Sequence, residues 1–355
     1  MRIALPFHDD SGLIFAAKIG QELARRGQTP VYIYVREAPA PDSKLSERQI
    51  ALSLGERGVD ASVTEKDFIS DAVLSSFQAV IASRVVVPIQ KALADPAFRN
   101  RRDRPRFVGF MAGLDFRPEN GVANRLWFDA VFLNTPADRD LFRSKTRRGD
   151  DQHVSYGHPY YIRPERFRTP AGNAPIYFFA QAISPQTLGG RLHMLHLLYV
   201  LAHKYPERRV VIKLRHLPEE NTFHQHKELF SYPWIMERLA PPPPPNLEFD
   251  ASSMEAALAD AGYAITCTST AAMDAVSAGV PTFVYLDYVE NYKDPLCEPM
   301  RKLCEPGDLV RPLRDIMALQ ARAPNPAWVN SIFRGPDLYD ELIAVMQNST
   351  SVAVA

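Results

Sequence analysis

The chain has 355 residues, 46% of them hydrophobic and 23% charged, and its 41 Lys and Arg residues balance its 41 Asp and Glu residues. This length suits two domains of ordinary size, and the composition is that of a soluble globular protein. Because no net positive charge attracts a polyanion, we expect no nucleic-acid partner, and any basic site must be local.

The first half of the chain alternates short apolar runs with helix-like stretches. Apolar residues recur at helical spacing between Ser11, a candidate N-cap, and Gly27, which predicts a helix there. The apolar runs that we predict as strands are Ile3–Phe7, Val31–Val35, Ala79–Ala82, Phe107–Phe110, Ala130–Leu133 and His153–Tyr156. Strands that alternate with helices indicate a parallel, doubly wound sheet.

The pattern is interrupted at Gly157-His158-Pro159 and a proline-rich connector, and then restarts. In this second half the predicted strands are Ile176–Ala180, Val210–Leu214, Tyr263–Cys267 and Thr282–Leu286. The predicted helices are Gly190–His203, Ser253–Ala259, Thr270–Ala278 and Leu338–Met346.

The predicted fold class is therefore α/β, with two facing Rossmann-like doubly wound domains and a cleft between them. We assign residues 1–160 to the first domain, 161–330 to the second, and 331–355 to a C-terminal helix and tail. Ligands of such sheets bind beyond the carboxyl ends of the strands, so the residues just after strands are the informative ones.

The three cysteines, Cys267, Cys297 and Cys304, show no paired spacing, which argues against a disulfide framework or a zinc site and favours a reducing compartment. The N-terminal run is interrupted by Pro6 and is interpreted as a first strand, not as a signal peptide. No stretch approaches the ~18 apolar residues of a spanning helix. We expect a cytoplasmic protein without a transmembrane segment, and peripheral contact with the inner membrane stays open.

A basic group follows the strand Val210–Leu214. Alternation along the strand predicts that Lys213 and Arg215 share a face, and His216 comes where the strand opens into the cleft. Three such side chains suit a phosphate or diphosphate, because Arg gives paired hydrogen bonds and Lys a compact charge. The alternative is a surface strand end with solvated charges.

A hydroxyl-rich turn follows the strand Tyr263–Cys267. Thr268, Ser269 and Thr270 precede a helix of small residues, and a helix N-terminus with nearby hydroxyls can bind phosphate. The alternative is that Ser269 or Thr270 is only an N-cap. Gln181, after the first strand of the second domain, is a further candidate for contact with nucleotide or acceptor.

These residues resemble a known pattern. The run Pro175–Asp287 is similar to the nucleotide-binding domain of bacterial GT-B glycosyltransferases that use CMP-activated acid sugars, such as sialyltransferases, polysialyltransferases and the Kdo transferases of surface polysaccharide synthesis. The resemblance lies in Lys213…His216-Leu217-Pro218 and in Ser269-Thr270, whose family counterparts hold the CMP. In the family a His-Pro pair stands where Leu217 separates the two residues here.

Two further motifs carry the resemblance to the GT-B fold. Ala278-Gly279-Val280-Pro281 resembles the usual end of the helix after the hydroxyl turn, and Gly157-His158-Pro159 resembles the Gly-x-Pro that closes the first domain. The resemblance implies a metal-independent enzyme without a cofactor, whose substrate is a nucleotide-sugar donor. We accordingly predict no metal site, and interpret the paired histidines His193-x-x-His196 and His224-x-His226 as core or exposed residues.

Inverting transfer needs a base for the acceptor hydroxyl, which the resemblance places in the first domain. The favoured candidate is Asp115, in an acid-bearing loop after the strand Phe107–Phe110, where Arg117 and Arg125 offer charge for an acidic acceptor or donor. The competing candidates are Asp10 and Asp9, after the first strand. Helix capping by Asp10 or Ser11 is the alternative reading of that second site.

The function predicted from these residues is inverting, metal-independent transfer of an acidic sugar, such as a nonulosonic acid or Kdo, from a CMP donor to a glycan, lipid or protein acceptor. One alternative is a UDP- or GDP-sugar or CDP-polyol transferase, or a sugar-nucleotide epimerase, of the same fold. A second alternative is a non-catalytic GT-B-like binding protein. Binding of CMP or of UDP distinguishes the first two hypotheses, and absence of donor binding favours the third.

Overall fold

The structure is a computed structural model that describes residues 1–36, 45–111, 118–146, 152–159, 161–222, 227–288 and 294–347. The chain divides into two compact units. Unit 1 comprises Met1–Ile162 and the chain from Ser331 onward, and unit 2 comprises Arg163–Asn330. Within the segment that we assigned to a C-terminal helix and tail, residues 338–346 pack into the core of the first unit.

The strands, in chain order, are β1 (Arg2–Phe7), β2 (Thr29–Arg36), β3 (Ala61–Thr64), β4 (Ala79–Ala82), β5 (Arg106–Phe110), β6 (Ala130–Leu133), β7 (His153–Tyr156), β8 (Ile176–Phe179), β9 (Val210–Lys213), β10 (Leu247–Asp250), β11 (Tyr263–Thr266) and β12 (Thr282–Val284). The helices are α1 (Asp10–Arg25), α2 (Glu47–Leu54), α3 (Glu65–Phe68), α4 (Asp71–Leu74), α5 (Val87–Ala94), α6 (Pro96–Arg99), α7 (Pro118–Ala123), α8 (Pro136–Lys145), α9 (Leu188–Lys204), α10 (Tyr232–Arg238), α11 (Met254–Asp260), α12 (Ala271–Ser277), α13 (Cys297–Cys304), α14 (Leu313–Met317), α15 (Pro326–Ile332) and α16 (Asp337–Gln347).

The sheet of unit 1 is parallel throughout, in the order β3-β2-β1-β4-β5-β6-β7. Apart from Arg2 and Arg106 at the starts of β1 and β5, its central strands are buried and largely apolar, as expected for strands that helices cover on both faces. One face packs against α1 and α16 through residues such as Phe15 and Leu342. The other face packs against α5 and α8 through Ile89 and Phe142.

The sheet of unit 2 is also parallel, in the order β10-β9-β8-β11-β12. Tyr177 and Phe179 of β8 face a layer that includes Leu258 of α11 and Ala275 of α12. Phe178 points to the opposite face, where its ring meets Tyr232 of α10 edge-on. The predicted architecture of two doubly wound sheets is confirmed.

Each sheet has one point at which the chain changes direction. In unit 1 the chain passes from β1 outward to β2 and from β4 outward to β5 on the other side, so this switch point lies between β1 and β4. In unit 2 the corresponding switch point lies between β8 and β11. Loops diverge to opposite faces there, and this is where open α/β sheets bind ligands.

The start of α1 differs from the prediction. Asp9, and not Ser11 or Asp10, is the N-cap, because its Oδ1 accepts a hydrogen bond from the Gly12 N–H at 2.7 Å. The predicted capping by Ser11 or Asp10 is therefore wrong. An aspartate caps a helix as well as a serine does, and its negative charge interacts favourably with the positive end of the helix dipole.

Two glycines of the predicted motifs have steric reasons to be glycine. Gly157 has a φ of +128°, and a Cβ there would lie 2.9 Å from Leu338 Cδ1. Gly279 has a φ of +71°, and a Cβ there would lie 2.4 Å from the Arg166 carbonyl oxygen. Both positions combine a left-handed backbone with a close neighbour, so only glycine fits without displacement.

Candidate functional site

The switch point of unit 2 brings two predicted residues into contact. Gln181 lies just beyond β8, and Thr268 just beyond the adjacent strand β11. The Thr268 hydroxyl donates a hydrogen bond to Gln181 Oε1 at 3.2 Å, and Thr268 is buried. This hydrogen bond therefore spans the position at which a doubly wound sheet binds its ligand.

Ser269 and Thr270 complete the turn beside Thr268 and are half-buried. Thr270 is the residue at the N-cap position of α12, but its side chain makes no capping hydrogen bond. Instead, Ser269 Oγ accepts from the Ala271 N–H at 3.2 Å. A hydroxyl that accepts one hydrogen bond still has its own proton to donate, so capping by Ser269 does not exclude contact with a ligand.

The basic group of the sequence lies one strand away from this turn. β8 separates β9 from β11, so Lys213 and Thr268 lie on either side of the Gln181 loop. Lys213 is 6% exposed, and its Nζ donates to the Leu214 carbonyl at 2.8 Å. β9 ends at Lys213, so the alternation that predicted a shared face does not extend to Arg215, which is exposed, whereas His216 is buried.

The switch point of unit 1 also holds a polar cluster. Asp9 follows β1, Arg84 follows β4, and Asp9 is 1% exposed. Asp9 Oδ2 lies 3.4 Å from His8 Nε2 and 3.6 Å from Arg84 Nε. Burial alone would raise the pKa of Asp9, but His8, Arg84 and the Gly12 N–H outweigh burial and hold that pKa below its usual value.

The other two candidates for the base are Asp10 and Asp115. Asp10 is the first residue of α1 and is buried. Asp115 and Arg117 lie outside the described residues. Arg125, expected to meet an acidic ligand, is buried and donates to the carbonyls of Phe110, Gly121 and Ser83. That expectation is wrong for Arg125, because its guanidinium holds the strand ends together.

A family model described as "Putative glycosyltransferase (DUF6716)" matches residues 8–349. The chain belongs to this family. The prediction of a glycosyltransferase enzyme is therefore confirmed at the level of the family. No curated protein matches the chain.

Solved structures show the fold of this glycosyltransferase. The UDP-GlcNAc 2-epimerase from Methanocaldococcus jannaschii has a TM-score of 0.58 at 10% identity, with 98% of this chain and 99% of that chain covered. The Neisseria meningitidis UDP-GlcNAc 2-epimerase bound to UDP-GlcNAc has a TM-score of 0.55 at 13% identity, covering 98% and 100%. The glycotransferase of kitacinnamycin has a TM-score of 0.51 at 14% identity, covering 98% and 99%. The GT-B-like fold class is confirmed.

The loop of the glycosyltransferase that follows β8 and carries Gln181 is anchored by Arg191, a residue that we did not single out from the sequence. Arg191 of α9 has no exposed surface, and its guanidinium donates to the carbonyls of Gln181 at 2.8 Å and Ala182 at 2.7 Å. It also donates to the Pro185 carbonyl at 2.9 Å and pairs with Glu228. The signal available in the sequence was a single arginine near the start of a predicted helix that is rich in leucine, because arginine is rarely buried without partners.

A second buried network joins the loops that follow β8 and β12. Asp294 accepts hydrogen bonds from the Ser184 hydroxyl, from the Tyr288 hydroxyl at 2.6 Å and from the Leu296 N–H at 2.9 Å. The Tyr288 hydroxyl also contacts Cys297 Sγ at 3.0 Å. Burial and the Asp294 carboxylate raise the pKa of Tyr288, which keeps this hydroxyl protonated as a donor.

The structure describes two of the four histidines that we interpreted as core or exposed residues, His193 and His196. His193 stacks on the Tyr285 ring, with centroids 5.8 Å apart, and its Nε2 lies 2.8 Å from the Tyr285 hydroxyl. Burial lowers the pKa of His193. His224 and His226 lie outside the described residues. Within the described ranges no cluster of three or more metal-ligating side chains occurs, and the absence of a metal stays a prediction.

None of the helices in the described part of the chain is both long enough and apolar enough to span a bilayer.

Proposed function

We propose that the protein is an inverting, metal-independent glycosyltransferase that needs no cofactor beyond its nucleotide-sugar donor. The donor binds at the switch point of unit 2, and the acceptor hydroxyl of a glycan, lipid or protein is activated by a base of unit 1. The catalytic candidates proposed from the sequence are Asp115, Asp10 and Asp9. The family membership supports glycosyl transfer as the reaction. The positions of the candidate residues at the two switch points support the roles proposed for them.

The observation that carries the proposal is the Thr268–Gln181 hydrogen bond across β8 and β11. This hydrogen bond supports the proposal because it lies at the switch point of the sheet, and doubly wound sheets bind nucleotides at their switch points. Ser269 and Thr270 add hydroxyl groups on one side. On the other side we assign to Lys213 and Arg215 the positive charge that a leaving phosphate requires, and to His216 a hydrogen bond to the phosphate.

For the donor we propose a CMP-linked acidic sugar, such as a nonulosonic acid or Kdo. Support comes from Lys213…His216 and Ser269-Thr270, the residues that resemble the CMP-binding motifs of the bacterial transferases. A second candidate is a UDP-sugar transferase or epimerase, because two structures of similar fold are named as UDP-GlcNAc 2-epimerases. Both candidates use the same switch point and differ in the nucleotide recognised.

Titration calorimetry of the full chain with CMP and with UDP tests the assignment. We expect CMP to bind and UDP to bind at least about tenfold more weakly, a difference of about 1.4 kcal/mol. Tight UDP binding without CMP binding would overturn the CMP donor and support the second candidate. Absence of binding by CMP, UDP, GDP and CDP alike would instead favour a non-catalytic protein of this fold.

A further inference from the structure

Arg311 lies at the carboxyl end of an extension of the sheet of unit 2. Val310 pairs with Val284 of β12 in a parallel bridge. The Arg311 N–H then donates to the Val284 carbonyl at 3.0 Å, so the chain around Val310 continues the sheet beyond β12. Neighbouring strands lie about 4.8 Å apart, which places the Arg311 backbone two strand positions, or roughly 10 Å, from the end of β11. Arg311 therefore lies at the same edge of the sheet as the proposed donor site.

The Arg311 side chain is buried without the hydrogen bonds that a buried guanidinium requires. The residue is 6% exposed, and both its Nε and its Nη2 are buried without a hydrogen-bond partner among the described residues. No other arginine in the described part of the chain has two such nitrogens. Moving a charge out of water is strongly unfavourable unless partners replace its hydration. A residue that breaks this rule is a candidate for ligand binding, because folding stability alone does not favour it.

The charged groups around Arg311 do not neutralise it. Asp315 Oδ2 lies 3.9 Å from Arg311 Nη1, and Asp315 Oδ1 lies 3.5 Å from Arg314 Nε, so two arginines share one carboxylate. The further charges that act on Arg311 are those of Arg322 and Asp308, so arginines outnumber aspartates in this group. Burial and Arg322 lower the pKa of Arg311 more than the two aspartates raise it. The group therefore has the charge to bind a further anion.

The two nitrogens without partners lie on one edge of the guanidinium. Nε–H and Nη2–H point the same way, and together they match two oxygens of a carboxylate or a phosphate. Arg101 of the same chain shows the complete arrangement. Its Nη1 donates to Asp71 at 2.6 Å, while its Nε and Nη2 donate to the two oxygens of Asp103 at 3.0 and 2.9 Å. Arg311 likewise has Nη1 near a carboxylate, that of Asp315, but its other edge has no carboxylate among the described residues.

We propose that Arg311 is an oxyanion-binding residue of unit 2, which holds a carboxylate or phosphate group of a ligand through paired hydrogen bonds from Nε and Nη2. The inference goes beyond the proposed function and does not presume a CMP donor. Two sources share this chemistry, the carboxylate of an acidic sugar and a free phosphate. The arginine side chain has three methylene groups, and rotation about them brings the guanidinium edge to a ligand at this end of the sheet.

Thermal unfolding of the full chain tests this site without an assay of the reaction. The probes are inorganic phosphate and free N-acetylneuraminic acid, each compared with sodium chloride at equal ionic strength, because salts also act on stability through screening and exclusion. We expect at least one probe to raise the melting temperature of the wild type by at least about 2 °C, with half of the effect reached below about 10 mM. A response to phosphate identifies a phosphate site, and a response to the acidic sugar identifies a carboxylate site.

Arg311→Met removes the charge and keeps an unbranched side chain. Because a buried charge with incomplete hydrogen bonding is unfavourable, we expect its melting temperature in chloride to be unchanged or raised, and its response to the probe to be lost. Arg311→Lys keeps the charge without the paired edge, and we expect it to lose at least about half of the response. The matched control is Arg314→Met, which should keep the full response, since Arg314 shares Asp315 with Arg311 but has a side chain that is 88% exposed.

Three results would overturn the proposal. The first is a wild type that responds to neither probe, and the second is an Arg311→Met variant that responds as the wild type does, because the probe then binds elsewhere. If Arg311→Met is strongly destabilised or does not fold, Arg311→Lys decides, and a full response of that variant is the third. None of these measurements uses CMP or UDP, so loss of the Arg311 site leaves the donor assignment standing, and absence of nucleotide binding leaves the Arg311 result unchanged.

Discussion

At the scale of single residues, the proposed donor site depends on the hydrogen bond that the Thr268 hydroxyl donates to Gln181. This hydroxyl is buried and has one described partner, the Gln181 side chain. The Gln181 carbonyl in turn accepts a hydrogen bond from Arg191, which anchors this loop to α9. A site built in this way loses little entropy when a ligand binds, which favours specific recognition.

Thr268→Val removes this hydroxyl while keeping the shape of the side chain. Because one neutral hydrogen bond contributes about 0.5–1.5 kcal/mol, we expect nucleotide affinity to fall by a factor of about 2 to 12, measured by calorimetry. Thr282→Val is the matched control, since the buried Thr282 hydroxyl donates to the Val280 carbonyl at the opposite end of the sheet. Equal affinity losses in both variants would show that the Thr268 effect is only structural.

Some of the candidate site could be predicted from the sequence and some could not. Gln181 and Thr268 follow apolar strands of one parallel sheet, so their position at one edge follows from the pattern alone. The contacts of Arg191 with this loop could not be predicted, because its partners there are backbone carbonyls, which every residue type carries. The contact between Asp9 and Arg84 could not be predicted, because it depends on β1 and β4 being adjacent in the sheet.

At the scale of elements, the strands that the sequence predicted are the buried ones. β4, β6 and β7 have the predicted bounds, whereas β3 and β10 were not predicted. Both missed strands lie at a sheet edge, and they are largely exposed, with only Leu247 of β10 fully buried. An edge strand needs no continuous apolar run, so its sequence resembles that of a loop.

Helix α16 is attached to β7 by an ionic cluster. Glu341 accepts from His153 Nε2 at 2.7 Å and from Arg334, which also pairs with Asp337. Burial alone would raise the pKa of Glu341, but the hydrogen bonds from His153 and Arg334 outweigh burial and lower that pKa to about 2. The ionised carboxylate is therefore the form that the folded protein favours.

Glu341→Gln should consequently destabilise unit 1 at neutral pH, by about 1–3 kcal/mol in the free energy of unfolding after allowance for solvent screening. The pKa of Glu341 in the folded protein lies below the ordinary glutamate value of 4.5, so the stabilisation is present above pH ~4.5 and is lost as the pH falls toward ~2. Denaturant titrations at several pH values measure this difference. We expect the difference between wild type and variant to shrink across that window.

The control for this prediction lies in the same helix. Asp340 pairs with Arg26, but its side chain is 70% exposed, and exposed pairs contribute little. Asp340→Asn should change the free energy of unfolding by less than about 0.5 kcal/mol. A difference for Glu341→Gln that stays constant between pH 7 and pH 3 would contradict the assignment of its effect to the ionised carboxylate.

At the scale of the whole molecule, the chain returns to unit 1 after completing unit 2. Ile162 and Arg334 form a parallel bridge within unit 1, and α16 covers one face of its sheet. Leu338 and Leu342 have no exposed surface and belong to the same apolar layer as Phe7. The core of unit 1 is thus assembled from residues more than 300 positions apart.

Leu342→Ala should destabilise unit 1 by about 2–5 kcal/mol, because it removes a fully buried side chain and leaves a cavity. Hydrogen exchange measured by mass spectrometry should show faster exchange in β1 and β4, with the strands of unit 2 unchanged. Leu313→Ala serves as the control, since Leu313 is 41% exposed. A uniform increase across both sheets would contradict two separately stable units.

The split composition of unit 1 has a consequence during protein synthesis. Unit 2 is one continuous segment, whereas unit 1 lacks α16 until the C-terminal part of the chain has left the ribosome. Unit 2 can therefore finish folding first, which reverses the usual N-terminal-first order. Throughout that interval the nascent chain exposes the apolar face that Leu338 and Leu342 later cover, and exposed apolar surface of this kind makes a partly folded chain prone to aggregation.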